Sequence, residues 1–277
     1  MTQLVPQTIF PDLQDRADEL LKSGRCTEFD VKRLSADADK LSRIDAVGAL
    51  EIKAMASILC NDFAGADDLY TRALRASGVS EEVVVRYLHL LGFSGQTLKV
   101  MSVFKEWAAN EALFSPPSRA HIAQVLGYCG WLRDSERIRN ELTSKGQSIG
   151  DTMIEFEYPA ESVGEPEATE MAVLANQYFV SAPSVLQSSG VDPADLANLV
   201  GEVHSFLRSH GSPAGAVRSV SSPREDGTSS LMVSFVVTAE AEDASDLEWS
   251  LYGHLAEKEM PLLSSGVVTV GVISGCQ

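Results

Sequence analysis

"NDFAGADDLYTRAL" (residues 61–74) decides how the first half of this 277-residue chain is read. Two later stretches fall into step with it: "GQTLKVMSVFKEWA" (95–108) and "GWLRDSERIRNEL" (130–142) begin 34 and then 35 residues further on. In that register Ala66 falls with Val100, Tyr70 with Phe104, and Ala73 with Trp107. A period near 34 built from helical segments is the mark of a solenoid. One helix pair cannot cover its own apolar stripe, so neighbouring pairs stack to do it.

Upstream, the same helical grammar holds. "PDLQDRADELLKSG" has Pro11 at a helix start, Leu13, Ala17, Leu20 and Leu21 on one face, and Gly24 as a stop. "EFDVKRLSADADKLSRI" sets Val31, Leu34, Ala38, Leu41 and Ile44 at steps of three or four. The 61–74 stretch then resembles the second-helix signature of tetratricopeptide repeats: a turn pair (Asn61-Asp62), an aromatic (Phe63), a small residue (Ala66), a second aromatic (Tyr70) and Ala73-Leu74. The resemblance covers residues 46–145 and weakens from the first unit to the third; first-helix positions Lys53 and Ser57 depart from the apolar norm. It implies a small Ala66 where two helices cross closely, and Tyr70 in the seam to the next pair. Pentatricopeptide repeats, which read RNA, are the rival, through "LRASGVSEE" and "LTSKGQSIGD"; a near-neutral charge without basic residues along the groove argues against them.

After residue 145 the grammar changes. Asp192-Pro193 reads as an N-cap and first-turn proline, followed by a helix with Leu196, Leu199, Val200, Val203, Phe206 and Leu207 on one face. "AGAVRSVSS" and "SSLMVSFVVTAE" read as strands joined through Asp226-Gly227. "DASDLEWSLYGHLAEKE" is a helix with Leu247, Leu251 and Leu255 stacked, and "SGVVTVGVIS" a final strand. The expected class is therefore α+β: an all-α, tetratricopeptide-like solenoid over 1–150, an acidic seam over 151–170, and a small α-β-β-α-β sandwich over 171–277. A sheet of so few strands needs a covered edge, and the helix expected at 171–183 or a second chain, giving a homodimer, is expected to supply the cover.

Charge separates the two halves. Residues 1–150 carry 18 Lys+Arg against 20 Asp+Glu; residues 151–277 carry 4 against 19, which is -15 of the chain's -17. Such a field repels nucleic-acid phosphates and anionic membranes, leaving a protein partner, of basic character where the second half binds it. The four scattered cysteines, the opening "MTQLVPQTIF" without a basic start or apolar run, and the lack of a long apolar segment make the cytoplasm the expected compartment.

Motifs that carry chemistry do not appear. His89, His121, His204, His210 and His254 have no metal-ligand spacing, and no dinucleotide fingerprint or phosphate-binding loop occurs. No cofactor, metal or catalytic residue is assigned, and the expectation is a non-enzymatic adaptor, chaperone or regulator, as the resemblance to bacterial tetratricopeptide adaptors implies. The alternative is an acidic nucleic-acid mimic that occupies a basic nucleic-acid-binding site. By repeat register the first helices place Glu51, Met55, Val85, His89, Ala120 and Gln124 toward a groove, where a partner would bind. Trp107 must swell a helix seam or reach the next pair. Trp131, after Gly130 at a turn, joins the core or, if exposed, anchors a partner. Trp249 is expected to flank the C-terminal core.

Overall fold

The computed structural model describes residues 9–23, 26–108, 110, 113–147, 182–223, 229–258 and 260–275. The seam expected over 151–170 and most of the helix expected at 171–183 lie outside the described residues. The chain is α+β, with most of the helices preceding a small sheet. Packing divides it into Met1–Leu90 and Leu91–Gln277. That division falls inside a helix, and residue 150, the boundary read from the sequence, lies within the second unit.

The first unit holds α1 (Phe10–Ser23), α2 (Glu28–Leu41), α3 (Ala46–Leu59), α4 (Phe63–Ala76) and most of α5 (Glu81–Phe93). Each buries one stripe at helical spacing: Leu13, Ala17 and Leu21 in α1, and Leu34, Ala38 and Leu41 in α2. α3 is buried on most of its circumference and packs against α1, α2 and α4. The residues of α4 that go inside are Ala66, Tyr70, Ala73 and Leu74. Tyr70 stacks on Tyr87 of α5, ring centroids 4.5 Å apart and nearly coplanar in orientation. Asp45 and Asp62 cap α3 and α4 by accepting from the backbone N–H of Gly48 and Gly65. A Cβ on Gly65 would lie 2.1 Å from the Asp62 carboxylate, so the glycine leaves room for the cap.

The second unit begins with α6 (Thr97–Val103), a π-helical turn (Phe104–Ala108), α7 (Pro116–Tyr128) and α8 (Leu132–Ser144). The wide turn contains Trp107, at the register position filled by Ala73 in α4, so the indole coincides with local swelling of the helix rather than with a close seam. The three in-register stretches share one turn. Asn61, Gly95 and Gly130 are all left-handed, with φ of 59°, 78° and 84°. In each, the next residue's N–H reaches back five positions: Asp62 to Ser57, Gln96 to Leu91 and Trp131 to Leu126. This is the Schellman closure of a helix, and the residue that donates the long bond starts the following helix.

A helix at 182–188 (α9) and α10 (Pro193–Ser209) follow. Asp192 caps α10 by accepting from Ala194 N at 2.9 Å, with Pro193 in the first turn. α10 has two buried sides. Leu196, Leu199, Val203, Phe206 and Leu207 enter the sheet core, which also takes Leu132 from α8. Gly201 and Ala197 meet the helical turns: Thr97 Oγ1 donates to Ala197 O at 2.6 Å, and a Cβ on Gly201 would lie 2.6 Å from Thr97 Oγ1 and 3.0 Å from Gly95 O. Gly130 faces Val200 and Ala197 at similarly close range. α10 is thus in contact with both turns, and α7 and α8 pack with the sheet's unit.

The sheet has the order β1-β2-β3: β1 (Ala214–Pro223) is antiparallel to β2 (Ser229–Val237), and β2 is parallel to β3 (Val268–Ser274). The β2-to-β3 crossover runs through α11 (Ala241–Glu257) and the short α12 (Pro261–Ser264). Leu231, Val233 and Phe235 of β2 pair with Val268, Val270 and Val272 of β3 on the core face, and Val237 of β2 with Ala244, Leu251 and Leu255 of α11 join them. On β3's free edge, Tyr252 Oη donates to Val270 O at 3.2 Å and Val272 N donates to Glu248 Oε1 at 3.2 Å. The edge cover expected from the 171–183 helix or a second chain is supplied at these two groups by α11, because Glu248 and Tyr252 lie four apart on the side of the helix toward β3.

Two glycine-to-alanine substitutions in helices have opposite expected signs. Gly201→Ala places a methyl against backbone and costs at least about 2 kcal/mol, whereas Gly253→Ala, with nothing within 4 Å of its Cβ, gains up to about 1 kcal/mol of helix propensity. Urea unfolding of both variants measures the difference; equal midpoints would contradict the close packing at Gly201.

Candidate functional site

The partner-facing row expected from the repeat register goes largely into packing. In the first unit Glu51 is 1% exposed and Met55 and Val85 are also buried. Glu51 takes a two-pronged bond from Arg86, Nε to Oε2 at 2.7 Å and Nη2 to Oε1 at 2.9 Å. Burial pushes the Glu51 carboxyl up, opposed by the Arg86 guanidinium; Arg86 itself is held above its ordinary value by Glu51 against its own burial. The fork geometry is that of an ionised pair. Phe10 lies 5.3 Å from the guanidinium, and Tyr87 Oη donates to Asp67 Oδ1 beside it in sequence. Glu51 therefore fixes α3 against α5 instead of greeting a partner. His89 is half-buried, and burial, with Lys22 nearby, pushes its imidazole down to about 4.

In the second unit Ala120 is buried and Gln124 half-buried. Trp131 is 8% exposed, and its Nε1 donates to Thr97 O at 2.8 Å. The exposed-anchor reading of Trp131 fails because the turn that carries it is covered by α10, so the indole packs beneath the turn. Ser135 Oγ donates to Ala123 O at 2.6 Å, joining α7 to α8 at the register position of Ala66. Among the described residues no group of three or more His, Cys, Asp or Glu is arranged to hold a metal ion, and no helix is long and apolar enough to cross a membrane. The described cavity, about 10 Å³, is lined by Gly127, Gly130, Leu132, Leu196, Val200 and strand residues including Ser219.

His204 is the buried polar group that the sequence reading placed among ordinary histidines. It is 3% exposed, stacks on Tyr128 at 4.3 Å and meets Phe235 edge-on at 5.2 Å. Its Nε2 lies 3.2 Å from Tyr128 O; a carbonyl only accepts, so Nε2 carries the proton of the neutral ring. Tyr128 Oη donates to Ala214 O at 2.7 Å, extending the chain of contacts from α7 through α10 to β1. Burial, with Arg208 nearby, pushes His204 down to about 4, against the favourable bond to Tyr128 O.

The second unit's exposed surface tells a different story. α11 buries only Ala244, Leu251 and Leu255, and Trp249, expected beside the core, is 73% exposed. Tyr252 is 41% exposed and meets Trp249 edge-to-face, centroids 6.1 Å apart. Glu242, Asp243 and Asp246 stand exposed on the same helix. Lys258, its nearest following base, is spent on Glu202 at 3.1 Å. The missed signal was available: Trp249 is two positions from Leu247 and from Leu251, and a helix turns about 200° in two residues. Compared with known proteins, the chain matches no family model, no curated protein and no solved structure.

Two outcomes follow for these buried groups. Arg86→Met leaves the Glu51 carboxylate buried without its partner and is expected to cost about 3 kcal/mol or more in urea unfolding. For His204, the folded value near 4 lies below the unfolded value near 6.5. Its contribution is whole above pH 6.5 and is lost as the pH falls toward 4, on the order of 3 kcal/mol in all. NMR titration of the imidazole should show no protonation until about pH 4; a midpoint between 6 and 7 would contradict the buried neutral ring.

Proposed function

We propose that this protein is a non-enzymatic protein-interaction module, an adaptor or regulator, that meets a basic protein partner through its acidic C-terminal half, residues 151–277. The observation that carries the reading is the separation of charge: -15 of the net -17 belongs to residues 151–277, where four basic residues face nineteen acidic ones. An imbalance of that size in one part of a chain steers oppositely charged partners and rejects polyanions. The helical part supports an interaction role in a second way. Its hairpin turns reuse one closure at Asn61, Gly95 and Gly130, as stacked helical pairs of the tetratricopeptide kind do. A groove partner is less favoured, since Glu51, Met55, Val85 and Trp131 are occupied by packing.

The acidic surface also supports the reading as a nucleic-acid mimic, a special case in which the partner's basic face is a nucleic-acid-binding site. The test is capture on the immobilised full chain, eluted in steps from about 0.05 to 0.5 M salt, a range over which the screening length shrinks from roughly 14 to 4 Å. Partner release across that range is expected. Release by duplex DNA at constant low salt would identify the mimic, and capture insensitive to salt would reject the acidic surface in favour of the helical groove.

A further inference from the structure

We propose that the outward face of α11 is a docking surface for a basic, arginine-bearing segment of another protein, with Trp249 as its anchor. The proposal rests on the protein-interaction reading above and narrows it to one helix face. Three observations meet there.

The first is an aromatic pair left in solvent. Trp249 and Tyr252 are 73% and 41% exposed, whereas Trp131 is buried and Trp107 half-buried. Met232 of β2, 42% exposed, and Glu248 of α11 both border the space over Gly271. Aromatic side chains dominate binding hot spots because they bring large area with few rotatable bonds.

The second is that this pair is held in place. The single hydroxyl proton of Tyr252 is shared between Glu248 Oε1 at 2.9 Å and Val270 O at 3.2 Å, and Glu248 Oε1 also accepts from Val272 N. Burial and Glu248 push the Tyr252 hydroxyl up to about 12, which keeps it a donor at neutral pH. Leu251 and Leu255 anchor the opposite side of α11 in the core. The ring against which Trp249 packs is thus fixed before any partner arrives, and less ordering remains to be done on binding.

The third is charge. Asp246 and Glu242 lie three and seven residues before Trp249, one and two turns along the same side of the helix, with Asp243 adjacent. No basic side chain among the described residues pairs with these three. A guanidinium over the indole face would gain the cation–π attraction and present its N–H fork to Asp246 at once. Lysine offers the charge without the plane, so arginine is the better fit. A second copy of this chain is disfavoured as occupant, because it would bring a like acidic face against this one. Anionic nucleic acid and lipid are rejected by the same sign.

The experiment uses the full chain and a fluorescein-labelled twelve-residue peptide of arginine, glycine and serine, with the same peptide carrying neutral citrulline as control. Fluorescence anisotropy at low salt should show saturable binding of the arginine peptide, with the citrulline peptide at least tenfold weaker. Trp249→Ala, whose side chain is mostly in solvent, should keep the circular dichroism and melting temperature of the parent and bind the peptide at least tenfold more weakly. Asp246→Asn should weaken it several-fold. Binding unchanged by Trp249→Ala overturns the proposal, since the peptide is then held by bulk charge elsewhere; so does self-association that Trp249→Ala abolishes. A protein partner captured equally by parent and Trp249→Ala removes the α11 face while leaving the protein-interaction reading in place. No saturable capture of any protein defeats both.

Discussion

The approach of Gly201 to the turn at Gly95 is the contact on which the second unit depends. At this point α10 has no side chain, and the turn has a left-handed glycine followed two residues on by Thr97, whose hydroxyl bonds Ala197 O on the preceding turn of α10. Backbone therefore meets backbone, and everything else that links helices to sheet is set by that distance. Trp131 is drawn under the turn with its indole N–H on Thr97 O, and His204, one turn beyond Gly201, lands on Tyr128. The far side of the same helix is left to Leu196, Leu199, Val203 and Leu207, which form the roof of the sheet. A helix with two buried sides must be small on one of them where the partner is a turn rather than a flat helix face.

This explains what was legible in the sequence and what was not. The sheet-facing stripe of α10 and its Asp192-Pro193 start are readable because large apolar residues at helical spacing and a cap are strong local signals. The side toward the turns consists of Ala197, Gly201 and His204, and small or polar residues carry no amphipathic signal, so the joining of α7 and α8 to the sheet was invisible. The boundary drawn at residue 150 followed the end of the 34-residue rhythm and the loss of basic residues, while packing divides the chain inside α5. Tyr70 and Ala66, expected inside, are both buried. The same register extended to a partner-facing row fails at Glu51, which is held by a residue 35 positions away that no local pattern announces.

The Glu51–Arg86 pair shows how the first unit fixes one arrangement of similar helices. Apolar stripes on α3 and α5 would tolerate a shift along their axes at modest cost, as hydrophobic packing is largely non-directional. A two-pronged bond does not tolerate it: a displacement of a single residue rise, about 1.5 Å, breaks both prongs and leaves a carboxylate buried without compensation. Stacked over it in sequence, Tyr70 and Tyr87 add a second directional contact between α4 and α5. The polar cost of burial is thus converted into register, which a repeat-like set of helices lacks otherwise.

The same logic separates the acidic residues that hold the fold from those that do not. Glu248 and Glu202 are engaged, one on the β3 edge and the other with Lys258. Glu242, Asp243 and Asp246 close no ladder and join no base within the described residues, so their mutual repulsion is a standing cost to the folded state that nearby structure does not offset. Helix-dipole attraction at the first turn of α11 recovers part of it for Glu242 and Asp243, which lie there, and little for Asp246, a turn further in. An exposed indole beside it adds hydrated apolar area that folding left uncovered. Both costs would fall if the proposed cationic, planar group covered the helix, and neither falls while the face stays in water.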